Sequence, residues 1–197
     1  MIGDSNAFEA LLNIMDDSAE DDEIKSASIL ALGKIGRGRA VKPLLTYIHI
    51  HNESKWQQVI VWALGETKDD GAIGFLLNSL KSEDAWLRMR SVSALGTIAS
   101  PQVVGYLIEA LKDESLVVRA SAAKALSDLN EKKAVEPLIL ICQNRPINVE
   151  IVEALAKFED ITILPTLSWL YRNHSQESIR RVAWEKIKKL EVSQIML

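Results

Sequence analysis

The chain has one cysteine in 197 residues. That excludes a disulfide scaffold and a cysteine-rich zinc module. Glycine occurs 9 times and proline 5 times, too rarely for a collagen-like or linker-dominated chain. The longest apolar runs, Val59 to Leu64 and Pro137 to Cys142, have six residues. A membrane-spanning helix needs about 20, so no membrane partner is expected. The start, Met1-Ile2-Gly3-Asp4, has neither the basic nor the apolar segment of a signal peptide. A soluble, cytoplasmic protein is the expectation. What is present is a globular mixture, 48% hydrophobic and 25% charged, which excludes disorder throughout.

Charge is also missing in one place. The first 23 residues carry eight acids and no lysine or arginine. The remainder carries 19 acids against 23 bases, so the net charge of −4 is an acidic start on a slightly basic body. Arg172, Arg180, Arg181, Lys186, Lys188 and Lys189 concentrate base near the other end. Ends of opposite sign suit head-to-tail self-association of two copies.

The chain repeats itself. Ala31-Leu32-Gly33, Ala63-Leu64-Gly65 and Ala94-Leu95-Gly96 recur as Ala125-Leu126-Ser127 and Ala154-Leu155-Ala156, with Ala183-Trp184-Glu185 as a degenerate sixth copy. A second landmark keeps step: Ala40-Val41-Lys42-Pro43-Leu44, Ala72 to Leu76, Val103 to Leu107 and Ala134 to Leu138. Apolar residues spaced by three and four, such as Val118, Ala122, Ala125, Leu126 and Leu129, predict two helices per unit. Ser82, Asp113 and Ser115 are expected to cap the second helices, and Pro146 suits a first helical turn. The unit is helix, turn, helix, with repeats at 5–37, 38–69, 70–100, 101–131, 132–159 and 160–190 in one domain and a tail at 191–197. Gly33, Gly65 and Gly96 fall inside second helices, where glycine costs about 0.5–1 kcal/mol relative to alanine. Close approach of the next repeat is the expected compensation, since one helix pair cannot bury its own apolar face.

With its Ala-Val-x-Pro-Leu, Val118-Arg119 and Ala-Leu-Gly landmarks, the chain resembles HEAT-like repeats of the phycobilisome-lyase subtype over about residues 5–190. The resemblance implies an all-α, right-handed α-solenoid of about six repeats, with the second helices lining the concave face. It implies protein binding or scaffolding more than catalysis. It also implies a ladder of bases at Lys25, Arg88 and Arg119, meeting acids such as Asp84 and Asp113 and interrupted by Gln57 and Asn148. Repeat six has lost most of the signature, as a polar terminal cap would.

No catalytic, cofactor or metal constellation emerges. His49 and His51 are two apart and point to different sides of a helix. Deoxyhypusine hydroxylase, a HEAT-like enzyme, binds iron through His-Glu pairs, and this chain has no such pair. Cys142 takes a core position shared with Leu80 and Leu111. Gly36-Arg37-Gly38 is a helix stop rather than a phosphate loop. HEAT-like glycosylases grip nucleic acid through basic grooves with tryptophans. This chain is acidic, with Trp56 and Trp86 expected in the core, so nucleic acid is a minor alternative. An accessory subunit of a bilin lyase is another.

Residues one, two, five and nine after the ladder base are expected to line the concave face. They mark Leu30, Gln58, Val59, Trp62, Glu66, Met89, Arg90 and Lys124 as a surface for a partner helix or extended segment. Trp62 stands out, because its equivalents are Leu30, Ser93, Lys124, Glu153 and Val182. Aromatic, Met and Arg side chains are the types that anchor interfaces.

Overall fold

A computed structural model describes the backbone of residues 2–195 and the side chains of residues 6–191. It contains twelve α-helices and no strand among the described residues. The contacts divide into two units, one ending at Val103 and one beginning at Val104.

The first unit holds α1 (Ile2–Asp16), α2 (Asp22–Gly36), α3 (Gly38–Ile50), α4 (Ser54–Glu66), α5 (Ile73–Ser79) and α6 (Ala85–Ile98). Each odd-numbered helix packs on the even-numbered one after it, and α2, α4 and α6 pack in succession. Leu32, Leu64 and Leu95, from the repeated Ala-Leu-Gly, are fully buried. Truncating one of these leucines to alanine costs about 2–5 kcal/mol. The glycines beside them explain the spacing. A Cβ on Gly33 would collide with the Ala63 carbonyl, and one on Gly65 would lie 2.8 Å from the Ala94 Cα. The bare backbone therefore lets successive second helices touch.

The second unit holds α7 (Val104–Ala110), α8 (Leu116–Asp128), α9 (Val135–Asn144), α10 (Val149–Ala156), α11 (Leu164–Asn173) and α12 (Glu177–Ile195). Here α8, α10 and α12 pack in succession. In α8, Val118, Ala122, Ala125 and Leu126 are buried on one face, at the spacing the sequence predicts.

Helix starts differ from expectation. Asp84, not Ser82, caps α6 by accepting the Trp86 amide at 2.8 Å. Ser82 stands two residues earlier and accepts the Asp84 amide. Ser115 makes no side-chain cap bond at α8. Asp113 instead accepts the Ser115 amide within the turn. Pro146 precedes α10, which Asn148 caps at the Ile151 amide. At α6 and α10 the short acceptor next to the helix forms the cap, because it reaches the free amides of the first turn.

The ladder bases also reach backbone carbonyls, with the charge of Asp113 acting on Arg119 as well. Arg88 Nη1 donates to the carbonyls of Ser82 and Glu83 at 2.8 and 3.0 Å. Arg119 Nη1 donates to Asp113 and Glu114 carbonyls, both at 2.9 Å. The base closes the preceding turn through backbone carbonyls, which a guanidinium fork reaches five and six residues back. Arg180 Nη1 does the same to His174 and Ser175, both at 2.8 Å. Arg180 is therefore the ladder residue of the sixth repeat, and Ile179-Arg180 is its Val-Arg pair. This moves the sixth landmark from Ala183 to Lys186. Lys186 is buried, and its Nζ reaches Glu159 Oε1 at 2.6 Å. The eight-residue α10 stops at Ala156, so the lysine stem has room past its end.

Candidate interaction face

Seven of the eight expected site residues lie in the first unit, on three helices that pack in succession: Leu30 on α2, Gln58, Val59, Trp62 and Glu66 on α4, Met89 and Arg90 on α6. Trp62 is 47% exposed. A tryptophan half in water on a helix whose opposite side carries fully buried Ile60 and Leu64 is not part of the core. Leu30, Val59, Met89 and Glu66 are half-buried around it. The Arg90 guanidinium carbon lies 5.8 Å from the Trp62 ring centroid, a cation on an aromatic face. Arg90 Nε is buried and has no hydrogen-bond partner among the described residues. Gln58 Nε2 reaches Asp84 Oδ2 at the long distance of 3.5 Å. The result is an apolar strip with one aromatic anchor and one cation over its ring.

The eighth residue, Lys124, belongs to α8 in the second unit. It pairs with Asp128 Oδ2 at 2.6 Å. Lys157 also pairs with Asp128, through Oδ1. Burial raises the Asp128 pKa, but the hydrogen bonds from the two lysines outweigh it and hold the carboxyl below its ordinary value. The repeat position of Leu30 and Trp62 is thus taken here by an ion-paired lysine.

Trp56 is buried, as expected, and packs edge-on to Tyr47 at 5.6 Å. Trp86 is not a core residue: it is 58% exposed. It stands one position earlier in its repeat than Trp56, level with Val117, which is also exposed. One residue along a helix is a turn of about 100°, enough to move a side chain from core to solvent. Cys142 is buried, and that burial pushes its thiol pKa up to about 12. A thiol so held is a poor nucleophile.

At the interrupted ladder position, Gln57 stops at Asn52, its Nε2 donating to Oδ1 at 3.0 Å. An open groove of about 1210 Å³ lies beside it, lined by Lys42, His49, Asn78 and Ser82 among others. Among the described residues no group of three or more His, Cys, Asp or Glu is placed to hold a metal ion. No helix there is long and apolar enough to cross a membrane.

A family model for HEAT repeats matches residues 8–95 and 73–149, well over half of the sequence. The chain belongs to the HEAT-repeat family. No curated protein matches this HEAT-repeat chain in sequence. Among solved structures, YIBA of Escherichia coli is 20% identical with a TM-score of 0.59, covering 94% of this chain and 69% of that one. The complex of CpcE and CpcF of phycocyanin lyase from Nostoc sp. PCC7120 is 17% identical with a TM-score of 0.50, covering 94% and 83%. Human deoxyhypusine hydroxylase is 15% identical with a TM-score of 0.45, covering 96% and 98%. At these identities the likeness is one of HEAT-repeat fold.

Proposed function

We propose that this HEAT-repeat chain is a non-catalytic scaffold that binds a protein segment, helical or extended, on the face formed by α2, α4 and α6. The observation that carries this reading is Trp62, half exposed with Arg90 stacked on it. Leu30, Val59 and Met89 supply apolar contact around that anchor. Such a pair is the chemistry of an interface hot spot: a rigid ring with a guanidinium over it. The Arg90 charge favours a segment with a carboxylate beside an apolar side chain. Lys124 is outside the proposed contact, since Asp128 already engages it. The cytoplasm is the compartment that suits one buried, free cysteine.

The test is capture from native host extract with the wild-type chain, with Trp62→Ala and with Arg90→Ala. Both variants should retain their helical circular dichroism and lose a partner that the wild type holds. Unchanged capture by Trp62→Ala would remove the reading. The CpcE and CpcF structure is itself a complex of two chains. A pigment-dependent partner would show as a visible absorbance band in the captured fraction.

A further inference from the structure

Inside the first unit, the contact between repeats has a fixed register. Gly33, eight residues after the ladder position of its repeat, meets Ala63, six residues after the next one. Gly65 meets Ala94 in the same way. A second helix therefore has a forward side, at four and eight residues after the ladder, and a backward side, at six and ten after it and one before it.

The position four after the ladder holds Ile29, Val61, Val92, Ala123 and Val152, and all five are fully buried. In the sixth repeat it holds Trp184, which is 40% exposed. Tyr171 stacks on it with ring centroids 4.9 Å apart. Tyr171 stands at the repeat position of Ile48, Leu111 and Cys142, which are buried, and of Leu80, which is half-buried, and it is itself exposed. The glycine position is taken by Lys188, whose Nζ lies 5.6 Å from the Trp184 ring centroid. The forward side of repeat six thus presents an aromatic pair, Tyr171 of α11 and Trp184 of α12, under a cation, not the polar cap expected of it.

The backward side of α2 shows the converse. Ile24 is 46% exposed, while its equivalents Trp56, Leu87, Val118, Ile147 and Ile179 are buried. Ile35 is 42% exposed, while at its position Thr67, Ile98, Phe158 and Leu190 are buried and Leu129 is half-buried. The residues just before Ile24 are Glu20, Asp21, Asp22 and Glu23, part of a stretch with no base in its first 23 residues.

We propose that a second copy of this chain covers both: the forward side of α12 in one copy docks on the backward side of α2 in the next. Each side is one half of the contact that recurs between repeats, so the same chain supplies the missing half. The charges are complementary, Lys188 against an acidic turn that keeps Glu20, Asp21 and Glu23 beside an Asp22 paired with Lys55. The fit is wider than the internal one, because Lys188 replaces glycine and the two rings fill the added space. A contact between unlike surfaces leaves one of each free, so association continues from copy to copy.

Sedimentation velocity of the purified full chain, from ~5 to ~500 μM, tests this. Mass is expected to climb with concentration past that of a dimer and to fall back as salt is raised. Trp184→Ser alone and Ile24→Asp alone should each remain monomeric. Mixed, they should form a dimer and nothing larger, because one intact face of each kind is left. Lys188→Glu keeps both rings and should weaken association at least about tenfold at low salt. A wild type that stays monomeric throughout overturns the proposal. So does self-association of either single variant, or a mixture that stays monomeric. These readouts do not involve Trp62, so their failure is separable from failure of the function proposed above.

Discussion

The two units use one repeat to different ends. In the first, Gly33 and Gly65 bring second helices into backbone contact, and the exposed faces of those helices carry Leu30, Val59, Trp62 and Met89. In the second, the residues at the glycine positions are Ser127, Ala156 and Lys188, and the position of Leu30 and Trp62 carries Lys124 and Glu153. Helix lengths diverge too: 15, 13 and 14 residues for α2, α4 and α6, against 13, 8 and 19 for α8, α10 and α12. The lesson is that a HEAT repeat constrains its contact positions and leaves its open face free. At the position of Trp62, that freedom gives an aromatic anchor in the first unit and an ion-paired lysine in the second.

The ladder offers the sharpest way to break the comparison. Arg119 serves three carbonyls, those of Asp113, Glu114 and Pro146. Arg119→Gln should cost about 2–3 kcal/mol in urea unfolding, since buried carbonyls lose a charged donor. The reverse change in the first unit, Gln57→Arg, should gain about 1 kcal/mol by closing a turn that glutamine cannot reach.

Close packing comes next. Gly65→Ala should lose about 1–3 kcal/mol, because its methyl would meet the Ala94 backbone. Ser127→Ala, at the same repeat position in the second unit, should change stability by less than about 1 kcal/mol. Equal losses at both sites would mean that the glycine contact is not what distinguishes the first unit.

A smaller effect concerns the breaks between repeats. Arg37, Lys68, Ala99 and Asn130 all have positive φ, at 47, 52, 60 and 51°, and follow one another every 31 residues. None is glycine. Ala99→Gly should stabilise by about 1 kcal/mol, by relieving a left-handed residue after α6. Asn130→Gly should gain less, since asparagine tolerates that region. A comparable gain at both would show that the strain lies elsewhere.

The smallest expected effect is on pH. The Asp128 pKa is lowered in the folded chain, so the stability it adds is complete above the ordinary carboxylate range and is lost as pH falls through the folded value. On an exposed site this is about 0.3 kcal/mol. It should appear as a small acid-induced fall in the urea midpoint that Asp128→Asn lacks.

The repeat was legible because two landmarks recur in phase and because apolar spacing of three and four can be read without any structure. The reason for Gly33 and Gly65 was legible as well, since a glycine inside a helix needs a neighbour to justify it. Trp86 was misplaced by a single residue, which a helix turns into a change of side. Repeat six was misread by three residues, because Ala183 imitates a landmark that Lys186 occupies. Ile179-Arg180 carried the correct signal, and the carbonyl bonds of Arg180 identify it.

What the sequence by itself determined is therefore local and periodic: helix pairs, their number of residues, their core leucines and their glycines. Which exposed side chains stay in water was decided only by the tertiary structure. Trp62 and Val61 are adjacent and both apolar, yet one is half exposed and the other fully buried. Burial depends on whether another helix arrives at that side. That arrival is set by contacts about thirty residues away, which local composition does not encode.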